Sequence, residues 1–312
     1  MKLGTTSGLA ASLAAALLAA GPLGAQAPVK LPGTIGLPGG TGVFPATAES
    51  RTDAPGYTIY RPATMPRYRI PLVLWGNDRC ADNGLSASHF LREIASRGYF
   101  VIANGAAREE GPVIARLPDG KERETTGPAG SAAPQTTVAQ MLAAIDWAAR
   151  ADREAGGQFK GRIDVSRIAV MGHECGGQQA LAIAGDPRVD TVAVFASGIP
   201  AAGGQASKDA LARIRVPTLF VNGGAGDPSA ANAADDVRRL TVPPVFAGGL
   251  GVGRNGTFAL ENGGEWALVA TAWLDWRLGG DMLAGRMFVG YDCRLCRDPR
   301  WQVERKQFPT EP

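Results

Sequence analysis

One stretch of this 312-residue chain concentrates groups that could do chemistry: Ile168-Ala-Val-Met-Gly172-His173-Glu174-Cys175-Gly176-Gly177. An apolar run enters Gly-x-x-x-Gly, and an Ala-rich segment with helical character leaves it. In a strand-to-helix turn that tight, the middle residue projects into a cleft. This is the context of a nucleophile elbow. Glycines at 172 and 176 suit it, because side chains there would collide. The middle residue is Glu174, which has no hydroxyl and offers only a carboxylate, as a nucleophile or as a base on water. The two histidines are His173, beside the elbow residue, and His89, in the first predicted helix, the wrong element for the task. Both read as structural.

The four cysteines are Cys80, Cys175, Cys293 and Cys296. They permit two disulfides in any of three connectivities. Cys293 and Cys296 have redox spacing, but no βαβ pattern follows them, which argues against a thioredoxin-like role. With both histidines far from that pair, a zinc site lacks soft ligands, so no metal and no cofactor are expected.

These groups need elements to position them. Pro71–Trp75, Tyr99–Ala103, Arg167–Met171, Thr191–Ala196 and Thr218–Val221 are short apolar runs, as strands buried on both faces should be. Ser86–Ser96, Thr137–Ala149 and Glu265–Leu278 have helical spacing. Strand and helix alternate, so the fold class is α/β, with a mostly parallel central sheet and helices on both faces. Residues 105–134 are polar and rich in Gly, Pro and charge, a long loop that could cover the site.

Residues 1–27 read as a signal peptide: Lys2, the Leu/Ala run Leu9–Ala20, then Ala25-Gln-Ala27 as the cleavage site. The run is shorter than the roughly 20 residues a span needs, so no membrane span is expected. Residues 28–45 read as a flexible Pro/Gly-rich lead-in, 46–290 as the folded domain, and 291–312 as a C-terminal tail carrying the Cys293/Cys296 pair. Export, periplasmic or secreted, implies a compartment that permits disulfides. A net charge of +3 with no basic cluster gives no reason to expect a nucleic-acid partner. The oligomeric state has no signature in the sequence.

Four spaced motifs, taken in order, carry a resemblance. They are Trp75-Gly-Asn-Asp-Arg-Cys80, Gly172-His-Glu-Cys-Gly-Gly177, Gly223-Gly-Ala-Gly-Asp227 and Val252-Gly-Arg-Asn-Gly-Thr-Phe258. The likeness continues through Trp273-Leu-Asp-Trp276 and Cys293–Trp301. The chain resembles secreted α/β-hydrolases related to dienelactone hydrolases and chlorophyllase-like esterases, whose motifs read W-G-N-G-x-C, G-x-S-C-G-G, G-G-x-x-D and V-G-H-G-G-T-Y. The resemblance implies an α/β-hydrolase fold with Glu174 at the nucleophile position, Asp227 at the triad acid and Arg254 at the triad base. It places Asn77, Asp78 and Cys175 at the oxyanion hole. It also implies Cys80–Cys175 and Cys293–Cys296 disulfides. The departures from the family pattern fall on the site: Glu174 for Ser, Arg254 for His, and Asp78-Arg79 in the oxyanion turn.

A triad needs a hydroxyl, an imidazole and an acid. Arg254 stays protonated at ordinary pH and cannot act as base. A Glu nucleophile reaches about 1.5 Å further than an Asp, and misplacement of about 1 Å costs on the order of a hundredfold in rate. The substituted residues could instead compensate one another, in a Glu174–Arg254–Asp227 ionic cluster. The function expected first is therefore a degenerate hydrolase that keeps a cleft for a small ester-like ligand. The alternatives are an active ester or lactone hydrolase using Glu174, and a structural protein of the cell envelope. Trp75 and Phe258 flank the elbow, as lining or as core.

Overall fold

The computed structural model describes residues 1, 35–36, 38–108, 113–116, 122–125 and 135–308. The expected signal peptide and most of the polar loop lie outside these. The main sheet has nine strands in the order β1-β2-β4-β3-β7-β8-β9-β10-β11. They are β1 (Ala46–Ser50), β2 (Tyr57–Pro62), β3 (Ile70–Gly76), β4 (Phe100–Asn104), β7 (Ile163–His173), β8 (Thr191–Phe195), β9 (Thr218–Asn222), β10 (Val245–Leu250) and β11 (Trp301–Lys306). A separate hairpin pairs β5 (Val113–Arg116) with β6 (Glu122–Thr125). The six strands from β4 to β10 run parallel, whereas β1, β2 and β11 join antiparallel at the edges. This is the expected α/β-hydrolase arrangement of a mostly parallel sheet.

Helices cover both faces. Alternate residues of β7 divide between two apolar layers, Ala169 and Met171 on one side, Ile168 and Val170 on the other. The first layer packs against α1 (Ser88–Ser96) and α5 (Gly264–Arg277), through Phe90, Leu91, Ile94, Trp266 and Trp273. The second packs against α2 (Val138–Arg153), α3 (Cys175–Ile183) and α4 (Ala230–Arg239), through Met141, Ile145, Leu181 and Val237. Two short helices, α6 (Met282–Gly285) and α7 (Arg294–Arg297), precede β11. Thr137 caps α2, its hydroxyl accepting from Gln140 N–H, so the helix starts where the sequence predicts. No helix among the described residues is long and apolar enough to cross a membrane.

Two boundaries differ from the sequence reading. The segment read as a tail supplies β11, which pairs along the whole of β10, so the sheet ends beyond residue 290. The described part of the lead-in is tied to α1: Thr41 Oγ1 donates to Glu93 Oε1 (2.8 Å) and Gly42 N–H to Ser96 Oγ (2.9 Å). A Cβ at Gly42 would sit 2.1 Å from the Ser96 carbonyl oxygen, so glycine permits this close pass.

Candidate active site

The elbow forms where β7 delivers its last residue, His173, to α3. Glu174, between them, has φ 49° and ψ −114°, a conformation that non-glycine residues rarely adopt. The surroundings hold it there. Glu174 N–H donates to Phe195 O (3.0 Å), and Ser197 Oγ–H donates to Glu174 O (2.6 Å). A Cβ at Gly172 would lie 2.3 Å from Gly176 O, and one at Gly176 would lie 2.0 Å from the Gly76 carbonyl carbon. The two glycines the motif demands are thus the price of backbone contact between β7, β3 and α3. Ser197 carried no sequence signal, since its partner lies 23 positions away.

Glu174 meets Arg254. Arg254 Nη2 donates to Glu174 Oε2 at 2.7 Å, and Arg254 Nε pairs with Oε1, a two-pronged ion pair. The carboxylate side chain is 16% exposed and the guanidinium 45%, so the pair sits at the rim of the site rather than in the core. Arg254 lies in the turn after β10, which is docked by Gly253 N–H to Gly223 O (2.8 Å).

Asp227 stands apart from that pair. Its carboxylate accepts from Gly223 N–H (2.9 Å), Ser229 N–H (2.8 Å) and Ser229 Oγ–H (2.6 Å), and among the described residues it has no ion pair with Arg254. The expected three-membered cluster is therefore a two-membered one. The cause is local: an aspartate with Ser two residues on closes an Asx turn, which satisfies the carboxylate before any distant cation reaches it.

His173 points away from the elbow cleft. It is buried against Phe258 (ring centroids 4.7 Å) and its Nε2 lies 2.9 Å from Arg254 O. A carbonyl only accepts, so Nε2 carries the proton. Burial lowers the imidazole pKa, against the opposing pull of the Asp78 carboxylate, so the ring is a neutral donor that anchors the Arg254 turn. This tether, 81 residues long in sequence, was not legible there. His89 lines a cavity of about 160 Å³ with Arg92 and Glu261 near α1, away from the elbow.

At the oxyanion position, Asn77 serves as a clamp. Its Nδ2 donates to Asn104 O (2.8 Å) and Ala81 O (3.1 Å), and its own carbonyl accepts from Gly176 N–H (3.0 Å). Asp78, in the expected oxyanion turn, pairs with Arg79 (3.2 Å) and so brings a carboxylate to that turn. Cys175 opens α3, so its N–H has no acceptor within the helix. Both disulfides are present, Cys80–Cys175 and Cys293–Cys296, and the first ties the elbow to the Asn77–Cys80 turn.

Trp75 and Phe258 belong to the core: with Phe90, Phe195 and Trp266 they form an aromatic cluster under the elbow. Two cavities among the described residues, one beside His89 and one beside Trp147, are lined by neither Glu174 nor Arg254. Among the described residues no group of three or more His, Cys, Asp or Glu side chains could hold a metal ion.

Residues 126–237 match the PET hydrolase-like family, PETase. The matched stretch holds the elbow and Asp227 and stops short of Arg254. No curated protein matches the chain. The match covers about a third of the chain and is to an α/β-hydrolase-type family, in keeping with the mostly parallel sheet. The side chains at the elbow decide its chemistry. Glu174 lacks a hydroxyl, Arg254 cannot take a proton, and His173 is committed to a backbone carbonyl.

Proposed function

We propose that the chain is an exported, catalytically degenerate α/β-hydrolase, related to dienelactone hydrolases and chlorophyllase-like esterases, whose elbow serves binding instead of acyl transfer. The observation that carries this reading is the Glu174–Arg254 ion pair at the elbow. The guanidinium engages both oxygens of the elbow carboxylate, so neither oxygen is left without a cationic partner. The same contact engages one lone pair on each Glu174 oxygen, which makes both oxygens poorer nucleophiles toward a carbonyl carbon. Residues 1–27 supply the export signal in this proposal, residues 28–45 lead into the domain, and the two disulfides suit an oxidising destination. The ligand class is a small ester-like molecule. The PET hydrolase-like match adds aromatic polyester fragments as candidates.

The test is hydrolysis of a short-chain chromogenic ester and of polyester film by the purified mature protein, beside a Glu174→Ser/Arg254→His double variant. The expected result is a silent wild type and measurable turnover in the double variant. Wild-type turnover abolished by Glu174→Gln would overturn the reading, and a folded but silent double variant would count against esterase descent.

A further inference from the structure

Five asparagines precede glycines: Asn83, Asn104, Asn222, Asn255 and Asn262. An unhindered glycine nitrogen can attack the preceding side-chain amide, so sequence alone ranks all five as equally labile. The structure separates them. Asn83 Oδ1 accepts from Leu85 N–H (3.0 Å), and Asn222 Oδ1 accepts from Gly224 N–H (3.0 Å). Asn104 is buried in β4, its Nδ2 donating to Thr137 O (3.1 Å). Asn262 is half-buried, and its neighbour Gly263 is buried. Asn255 is the exposed member of the set, and among the described residues its side chain makes no hydrogen bond.

The glycine after Asn255 is also obligatory. Gly256 has φ +56°, and a Cβ there would lie 2.1 Å from Trp266 Cζ3. The aromatic core under the elbow therefore requires glycine at 256, directly after the exposed Asn255 in the turn that carries Arg254. Within that Asn-Gly step the bond is Gly256 N–H to Gly253 O at 3.1 Å, while the turn is held on its Arg254 side by Gly223 and His173. Asn255 itself lies on the exposed face of the turn.

We propose that Asn255 is a self-modification site, where the Gly256 backbone nitrogen converts the side-chain amide into a carboxylate beside Arg254. The Gly256 nitrogen loses its proton to solvent and bonds to Asn255 Cγ. The Cγ–Nδ2 bond breaks, and the amide leaves as ammonia after taking up a proton. Water then opens the five-membered imide at either carbonyl, giving Asp or isoaspartate at 255, so amide and water become acid and ammonia. The new carboxylate competes with Glu174 for the Arg254 guanidinium, and the isoaspartate product adds one backbone carbon to the turn. The site thus gains negative charge with age.

The full-length protein is incubated in mildly alkaline buffer and mapped by peptide mass spectrometry, beside the same chain in denaturant. In the native chain, conversion at 255 is expected to run at least about tenfold faster than at the other four sites, which corresponds to about 1.4 kcal/mol of extra local protection at those sites. Isoaspartate appears among the products, and Asn255→Gln abolishes the signal. In denaturant the five sites convert at comparable rates. Native protection of Asn255 equal to that of the other four overturns the proposal. Asn255→Asp, which reproduces one product, is expected to lower the Glu174–Arg254 coupling constant at least about threefold. An unchanged coupling overturns the link to the elbow.

Discussion

The Glu174–Arg254 contact makes the most direct prediction, because its strength can be measured without knowing the ligand. Two unit charges about 4 Å apart attract by about 4 kcal/mol at an effective dielectric near 20. Arg254 is 45% exposed, so solvent screening and the entropy of fixing two long side chains remove most of that. Two-pronged geometry recovers some of it. A double-mutant cycle over Glu174→Ala, Arg254→Ala and the double variant should therefore give a coupling of about 1 kcal/mol, read from urea unfolding at constant m. The single losses should be unequal. Arg254→Ala leaves the less exposed partner, Glu174, without its counter-charge, whereas Glu174→Ala leaves a guanidinium that solvent already reaches. Arg254→Ala is thus the more costly of the two in pair energy. Raising the salt from low to physiological concentration should shrink the coupling, since the pair lies at the rim. A coupling below about 0.3 kcal/mol, within the additivity error for independent sites, would refute the claim that these substitutions compensate one another.

Glu174→Gly should be more stable than Glu174→Ala by about 1–2 kcal/mol in chemical denaturation, because only glycine adopts φ 49°, ψ −114° without strain. Replacing both cysteines of Cys80–Cys175 with Ser, a crosslink of sequence separation 95, should cost about 4–5 kcal/mol on chain-entropy grounds. Removing Cys293–Cys296, of separation 3, should cost less than half as much, and thermal melts of the two variants would reverse in order if the first crosslink were idle. His173 and His89 both have pKa values lowered by burial from 6.5, so below that pH the unfolded chain takes up protons that the folded chain refuses. Stability should therefore be full above about pH 6.5 and fall as the pH drops from there toward the lowered folded values. His173→Gln should flatten that slope in urea titrations across the range, and an undiminished slope would show that His173 does not contribute to it.

The fold was largely legible because its central strands announce themselves. Runs such as Pro71–Trp75 and Val192–Ala196 are apolar throughout, as burial on both faces requires. The edge strands were not legible for the opposite reason. β11, Trp-Gln-Val-Glu-Arg-Lys, is half-exposed and mostly polar, and β10 carries two consecutive glycines that weaken any strand signal. At the site, local pattern located the elbow and the resemblance located Arg254. What sequence could not supply were contacts between distant segments: His173 to the Arg254 carbonyl, and Ser197 to the Glu174 carbonyl. Asp227 shows the converse failure. Its Asp-x-Ser spacing is a readable sign of an Asx turn, whose own donors satisfy the carboxylate without Arg254.

The elbow's backbone strain has a cause separate from its chemistry. Glu174 sits in a rarely allowed conformation, and its backbone contacts alone account for that. The holders are the Phe195 and Ser197 bonds to its peptide groups, the glycine contacts between β7, β3 and α3, and the disulfide from the next residue to the Asn77–Cys80 turn. None of these uses the side chain at 174. A substitution there consequently leaves the turn intact, and the replacement inherits the projecting position. A carboxylate placed so, with Asp227 already satisfied, needs a cation, and residue 254 is where the neighbouring turn can supply one. Arginine rather than lysine fits because its fork reaches both carboxylate oxygens while its backbone stays fixed by His173. Arg254→Lys should therefore lose most of the coupling although the charge is kept, and a coupling equal to wild type would mean that charge alone, without the fork, holds the elbow carboxylate.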